Sequence, residues 1–321
     1  MIKILELFGG VGAPRKALVN LGIGHKSIDY VEIDEKAVRA YNALYDHTMK
    51  AQSVVGYNLC PDILIHGSPC QDFSRAGHRW GGGSEDKTRS SLLFETLEII
   101  QNMGVWKPKI VLWENVKGVL DKDMVHSFND YLEQMEKLGY KNSYKVLNAM
   151  NYGIPQKRER IYTVSVLGSN IFDFSQVEER PMKPISGFLE SNVDDIYTIK
   201  IPSMLSRIKE LDLQRKNDKY KRFLDVIDTH CWTISTRQDR CPNAGIIKMK
   251  DKEYRYLTEL EVARLMGFSD DDHAKLVAEY PMKIGKKNAT LYKLYGNSIV
   301  VDVLEAIYQG LIKAEILNAT I

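Results

Sequence analysis

The sequence predicts an open, mostly parallel, doubly wound α/β sheet joined to a second, smaller lobe, and three observations carry that prediction. From residue 2 to about residue 166, short apolar runs alternate with helical patterns, which is the order of successive βαβ units. Several of those runs stop at unusual polar or glycine-rich residues: Phe8-Gly9-Gly10, Glu32, Gly67-Ser68-Pro69-Cys70 and Glu114-Asn115. Sheets of this kind bind ligands beyond the carboxyl ends of their strands. Around residue 168 the alternation breaks, and to about 255 the pattern is irregular, with Pro181, Pro184, Pro202, Pro242 and the basic run RKNDKYKR at 215–222.

In chain order the expected elements are IKILELF, a helix near 14–21, KSIDYVEI, a helix near 35–45, and DILIHG. A helix near 91–103, KIVLWEN, a helix near 124–138, SYKVLNA and RIYTVSVL complete the sheet. The helical pattern LTELEVARLMGF at 257–268 closes the small lobe, and a last helix, about 298–316, follows Tyr295-Gly296-Asn297. The expected boundaries are 1–167 for the sheet domain, 168–280 for the small lobe and 281–321 for a segment returning to the first domain.

The chain has 321 residues, 44% hydrophobic and 27% charged, enough for one large core or two lobes. Lys and Arg outnumber Asp and Glu by 44 to 42, so any basic surface must be local. The four cysteines, Cys60, Cys70, Cys231 and Cys241, form no CxxC pair and have no accompanying His spacing. That argues against a structural metal site and a disulfide framework, and fits a reducing, cytoplasmic setting. The first strand-like run begins at residue 2, leaving no room for a leader peptide, and no apolar stretch is long enough to span a membrane.

The chemistry is concentrated at the strand ends. Phe8-Gly9-Gly10-Val11-Gly12 leads from a strand into a helix; glycines there let the backbone pass close to a ligand, and a helix N-terminus offers unpaired N–H groups. Glu32 ends the second strand, where an acid can hydrogen-bond the hydroxyls of an adenosine ribose. That spacing suits a dinucleotide and S-adenosylmethionine equally. Cys70 follows a strand directly, behind Pro69, which fixes its approach and suits it to nucleophilic attack. Glu114 places a carboxylic acid at the same edge. If 156–161 is extended, Gln156, Arg158 and Arg160 project from one face and Lys157 and Glu159 from the other. Two guanidiniums on one face require an anion or a carbonyl between them. The stretch from Gln71 to about Ser91, with Arg75, His78, Arg79, Trp80 and three glycines, combines mobility with phosphate-seeking charge.

The segments FGGVG, GSPCQDFS, ENVKGVL, NYGIPQKRERIY, LTELEVARLMGF and LYGNSIV stand in the order and roughly the spacing of a known motif series. On them the chain resembles the DNA cytosine-5 methyltransferase family, in its bacterial and phage restriction-modification form. The likeness runs from residue 4 to about residue 310, apart from a variable stretch near 168–230. It implies a Rossmann-like domain that uses S-adenosylmethionine to methylate carbon-5 of a cytosine flipped out of double-stranded DNA. Cys70 would add to carbon-6, Glu114 would hold ring nitrogen 3, Arg160 the base's carbonyl oxygen, and Arg158 would support Cys70 and the backbone. Phe8, Gly9, Gly10, Gly12, Glu32, Ile33, Pro69, Leu92, Asn297 and Ser298 would form the cofactor pocket. Gln71, Ser74, Arg75, Arg79, Gln156 and Thr233 would meet DNA, with the small lobe reading base edges and RKNDKYKR serving phosphates. A monomer is expected, and any cognate restriction endonuclease would act separately.

Three positions depart from the family pattern: Ala13-Pro14 where a further glycine is usual, Ser68 where an aromatic often precedes the Pro-Cys pair, and AQSVVGYN, which offers Gln52, Ser53 or Asn58 where an aspartate is usual. A tRNA cytosine-5 methyltransferase on the same scaffold is the alternative within enzymes, but the Cys-Phe-Thr signature of that branch is absent. A catalytically silent DNA-binding protein is the alternative outside them, and it has no use for a matched acid and nucleophile. A NAD-dependent oxidoreductase has no use for the Pro-Cys-Gln element.

Overall fold

The computed structural model describes residues 1–54, 61–67, 91–208, 223–249 and 253–318. Within them the apolar runs pair into one sheet. Its strands are β1 (Ile2–Leu7), β2 (His25–Val31), β3 (Ile63–His66), β4 (Ile110–Val116) and β5 (Tyr140–Asn148), then, beyond the short β6 (Gln156–Lys157), β7 (Glu159–Leu167). The order across the sheet is β2-β1-β3-β4-β7-β5, with β1 to β4 mutually parallel and β7 antiparallel to both neighbours. The expected mostly parallel α/β sheet is therefore present. The chain steps outward from β1 to β2 and then back across β1 to β3, so the order reverses between β1 and β3. A crevice forms at such a switch point.

Alternation along the strands fixes which helices cover which face. Ile2, Ile4, Ile63, Ile65, Ile110 and Leu112 point into a core shared with α1 (Ala13–Asn20) and α2 (Glu35–Tyr45). Leu5, Leu7, Leu64, Val111 and Trp113 point to the opposite face, under α3 (Ser91–Asn102) and α4 (Val125–Lys137). A side-chain period of two in a strand buried on both faces requires this division.

Beyond β7 lie α5 (Pro202–Leu205), β8 (Cys231–Trp232), β9 (Ile247–Lys248) and β10 (Tyr254–Arg255). Tyr197, Ile199, Met204, Ile208, Leu224, Ile246, Tyr254 and Tyr256 make a small separate core there. Phe172, Phe174, Val177 and Ile185 instead join the large core, as does α6 (Glu259–Leu265). Capping boxes start both α6, between Thr258 and Glu261, and α7 (Asp270–Glu279), between Ser269 and Asp272. The chain then returns through α8 (Ala289–Gly296) and α9 (Val301–Lys313), and α9 packs on α1.

The antiparallel setting of β7 matters most for the site. Because β7 runs against β4, its first residues lie at the carboxyl end of β4: Arg160 pairs with Val116, and Tyr162 with Glu114. β6 pairs in parallel with β8, Gln156 with Cys231 and Lys157 with Trp232, which joins the far segment to the sheet domain. Among the described residues no helix is long and apolar enough to cross a membrane.

Candidate active site

At the carboxyl edge of the sheet, around the switch point, lies a cavity of about 340 Å³. The ends of β1 and β2 form one wall, the ends of β3, β4 and the start of β7 another, and Lys293 to Ile299 a third. Phe8, Gly9, Gly10, Glu32, Ile33, Asn297 and Ser298, all expected around a cofactor, line it.

On the β1–β2 wall the backbone takes an unusual path, with positive φ at Phe8 (55°), Gly10 (55°) and Gly12 (74°). A side chain added at Gly10 would meet nothing within 4 Å, so its absence leaves open space on the cavity wall. Glu32 is fixed by backbone: Oε2 accepts from the Gly10 N–H at 3.0 Å, and Oε1 from Ile33 and Asp34 at 2.8 and 2.9 Å. Gly12 also belongs to the expected pocket. It is the left-handed N-cap of α1 and lies outside the cavity lining, and an added Cβ would sit 2.7 Å from Tyr41 and Tyr45. Its glycine is required by packing behind the turn. Gln52 is turned to β2, donating to the carbonyl of Tyr30 at 3.2 Å.

On the facing wall, Glu114 is recessed with its side chain 13% exposed, and Arg160 Nε lies 3.2 Å from Glu114 Oε1. Burial raises the Glu114 pKa above the usual carboxylate range, and the Arg160 and Arg158 guanidiniums oppose that rise without cancelling it. A Cβ built on Gly67 would come 3.9 Å from Glu114 Oε2, so the strand that leads towards Cys70 ends beside the acid. Cys70, Pro69, Gln71, Ser74, Arg75, Arg79 and the run at 215–222 lie outside the described residues. Leu92 belongs to α3, and nothing is described of its side chain.

Arg158 receives the carbonyls that two neighbouring guanidiniums demand. Its terminal nitrogens donate to Ile234 O at 3.0 Å, Ser298 O at 2.7 Å and Gly296 O at 3.4 Å. It thereby ties β7, the residues after β8 and the returning C-terminal segment together at the cavity edge. Gln156, expected at DNA, is fully buried in this structure, donating to Leu265 O at 2.8 Å and accepting from the Ile234 N–H at 3.0 Å. Both ends of its amide are used inside the protein. Thr233 is partly exposed, and its hydroxyl donates to Lys157 O at 2.9 Å.

Several residues of the site have no counterpart in the sequence reading. Glu6 lines the cavity from within β1, 1% exposed, and burial pushes its carboxyl up to about 7 against the hydrogen bond from Tyr41 and the charge of Arg15. Asp34 and Lys293 also line the cavity and pair across its mouth at 2.5 Å. An acid inside an apolar run is the one local signal that points to Glu6. Among the described residues no group of His, Cys, Asp and Glu is placed to hold a metal ion.

The model of a family described as C-5 cytosine-specific DNA methylase matches residues 2–313. The chain is 31% identical over 330 residues to the Type II methyltransferase M.BsuFI of Bacillus subtilis, covering 99% of this chain and 74% of that one. It is 31% identical over 315 residues to the Type II methyltransferase M.NlaX of Neisseria lactamica, covering 96% and 95%. Among solved structures, the S. pombe Dnmt2 methyltransferase superposes with a TM-score of 0.78 at 21% identity, covering 98% of this chain and 99% of that one, a likeness of fold.

Proposed function

The chain belongs to the C-5 cytosine-specific DNA methylase family and is a DNA cytosine-5 methyltransferase, and from that premise we propose that it works through a covalent adduct of Cys70 with S-adenosylmethionine as donor. The observation that carries this reading is one cavity holding both a glycine turn with a backbone-fixed acid, Glu32, and a buried acid-guanidinium pair, Glu114 and Arg160. The donor's fit is supported by the open space at Gly10 and by Glu32, an acid on the cavity wall that would accept from ribose hydroxyls. Phe8, Gly10, Glu32, Ile33, Asn297 and Ser298 would hold it. When bound it supplies a methyl group activated on a sulfonium, which carbon-5 accepts.

The chain's own residues activate the base. The Cys70 thiolate adds to carbon-6, and the electron pair of the 5,6 double bond becomes available at carbon-5. Glu114, its pKa raised by burial, would hold ring nitrogen 3 and stabilise the charge that develops there. Arg160 exchanges part of its contact with Glu114 for the carbonyl oxygen of the base. Transfer of the carbon-5 proton to water then expels Cys70 as the thiolate and restores the 5,6 double bond. Of the described cysteines, Cys231 is buried and its thiol is pushed up to about 12, which makes it a poor nucleophile. The target cytosine must leave the duplex stack to enter the cavity. We assign the reading of its flanking sequence to 168–280, and a monomer suffices for all of these roles.

The test replaces the target cytosine with 5-fluorocytosine in a duplex, with donor present. Fluorine does not leave as a cation, so the enzyme should remain bound to DNA, one to one, in a denaturant-resistant adduct that maps to Cys70. Omitting the donor or introducing Cys70→Ala should prevent it. An active preparation that forms no adduct would overturn the covalent reading.

A further inference from the structure

The Phe8–Gly12 turn is held from behind by three tyrosines that no part of the reaction employs. The Tyr30 hydroxyl donates to Gly10 O at 2.5 Å, and the Tyr45 hydroxyl to Gly12 O at 2.7 Å. Tyr41 lies between them, stacked on Tyr30 with ring centroids 3.8 Å apart and tilted against Tyr45 at 4.8 Å. Its hydroxyl donates to Glu6 Oε2 at 2.8 Å and accepts from Arg15 at 3.2 Å. Glu6 Oε1 in turn accepts from the Arg15 N–H, at 3.3 Å, in the first turn of α1. The packing is close: a Cβ on Gly9 would sit 2.5 Å from the Tyr30 ring.

Two features of this arrangement concern the cavity and not the core. Gly10 is gripped at both of its polar ends, its N–H by Glu32 and its carbonyl by Tyr30, so Glu32 and Tyr30 fix one residue between them. Phe8 is a non-glycine residue at φ 55°, a conformation that costs energy and persists only where the surroundings enforce it. Phe8, Gly9, Gly10 and Val11 all line the cavity, while the hydroxyls that restrain the turn lie on its far side. Burial raises the pKa of both Tyr30 and Tyr45 above the ordinary phenol value, so each hydroxyl remains a donor.

We propose that Tyr30 and Tyr45 are positioning residues for the methyl donor, holding the Phe8–Gly12 turn from behind in the shape that the donor meets. This rests on the reading that the β1–β2 wall binds S-adenosylmethionine. Tyr41, Glu6 and Arg15 brace the two tyrosines and link the turn to α1.

The test removes single oxygen atoms. Tyr30→Phe and Tyr45→Phe keep the rings and their packing but lose the donors to Gly10 and Gly12. Dissociation constants for S-adenosylmethionine and S-adenosylhomocysteine, measured by calorimetry on the full chain, should each rise about fivefold per variant, the loss expected of one buried hydrogen bond. KM for the donor should rise in step, while KM for DNA and kcat at saturating donor stay within about twofold of wild type. Tyr152→Phe is the control, because the Tyr152 hydroxyl is buried with no hydrogen-bond partner among the described residues, and its donor affinity should not change. Unchanged affinity in both Tyr30→Phe and Tyr45→Phe would overturn the assignment. So would a lowered melting temperature with donor and DNA parameters shifted alike, because that marks a purely structural role. Wild-type protein that binds no S-adenosylmethionine would instead bring down the reading of the wall itself. Should Tyr30→Phe fail to fold, Tyr45→Phe decides the question alone.

Discussion

Glu32 and Glu114 stand on opposite walls of one cavity and are held in different ways: three backbone N–H groups fix Glu32, whereas a guanidinium meets Glu114. Backbone donors do not move when a ligand arrives, so the β1–β2 wall is ready before anything binds. A side-chain partner can be exchanged, so the contact between Arg160 and Glu114 can be traded for contacts to a base. On the proposed function, one wall serves affinity and the other changes during reaction. Substitutions on the two walls must then separate in kinetic experiments.

Glu114→Ala should have the largest effect. Loss of the acid proposed to hold ring nitrogen 3 should lower the single-turnover methylation rate by roughly a thousandfold, within the range for general acid–base groups. Donor affinity should stay within about twofold. If the donor dissociation constant rises as steeply as the rate falls, the two walls act as one unit and the contrast is wrong.

The second test concerns Glu6, which stands behind the glycine turn. Its folded pKa is raised from 4.5 to about 7, chiefly by burial, against the Tyr41 hydrogen bond and Arg15. The folded state therefore binds this proton more tightly than the unfolded chain. The stability it contributes is fully present below the unfolded value and is lost as pH rises through about 7. At 1.36 kcal/mol per unit that loss amounts to at most roughly 3 kcal/mol. Glu6→Gln does not titrate, so urea melts at pH 5 and pH 8 should show the variant gaining on wild type at the higher pH. Parallel pH profiles would mean that Glu6 does not titrate in this window.

How much of this was legible follows from where each residue stands. Glu32 and Glu114 are readable because each stands near the carboxyl end of a strand, where a polar residue after an apolar run marks the ligand edge. The alternation at 156–160 is readable too, and the carbonyls that its charge demands are found at Ile234, Gly296 and Ser298. The same alternation says nothing of what covers Gln156, which is β8 and α6, far along the chain. Tyr30, Tyr41 and Tyr45 read as ordinary aromatic residues of strand and helix. Their work lies in where three hydroxyls point, which depends on packing β2 and α2 against a turn that the sequence shows only as glycines.

Glu32→Ala comes next in size. It removes an acceptor shared by three backbone donors together with the acid proposed to meet the donor's ribose, so donor affinity should weaken by roughly 1–3 kcal/mol. The methylation rate at saturating donor should change little. Calorimetry that returns an unchanged dissociation constant would remove Glu32 from the wall.

The smallest effect is expected one turn away, at Asp34, and its smallness separates a backbone-fixed acid from an ion-paired one. Asp34 caps α2 by accepting from the Lys36 N–H at 3.0 Å, and it pairs with Lys293 at the cavity mouth. Asparagine caps a helix about as well as aspartate, so Asp34→Asn keeps α2 intact while discharging the pair. The two side chains are 30% and 48% exposed, so water and salt already screen their attraction. Donor affinity should therefore fall by less than about threefold at low salt, and the difference from wild type should vanish as ionic strength rises. Glu32→Ala, whose loss is of hydrogen bonds and not of a screened charge pair, should keep its deficit at every salt concentration. Titrating both variants across a salt series measures the two kinds of contact side by side. A large, salt-independent loss in Asp34→Asn would mean that the mouth of the cavity, and not its wall, sets how tightly the donor is held.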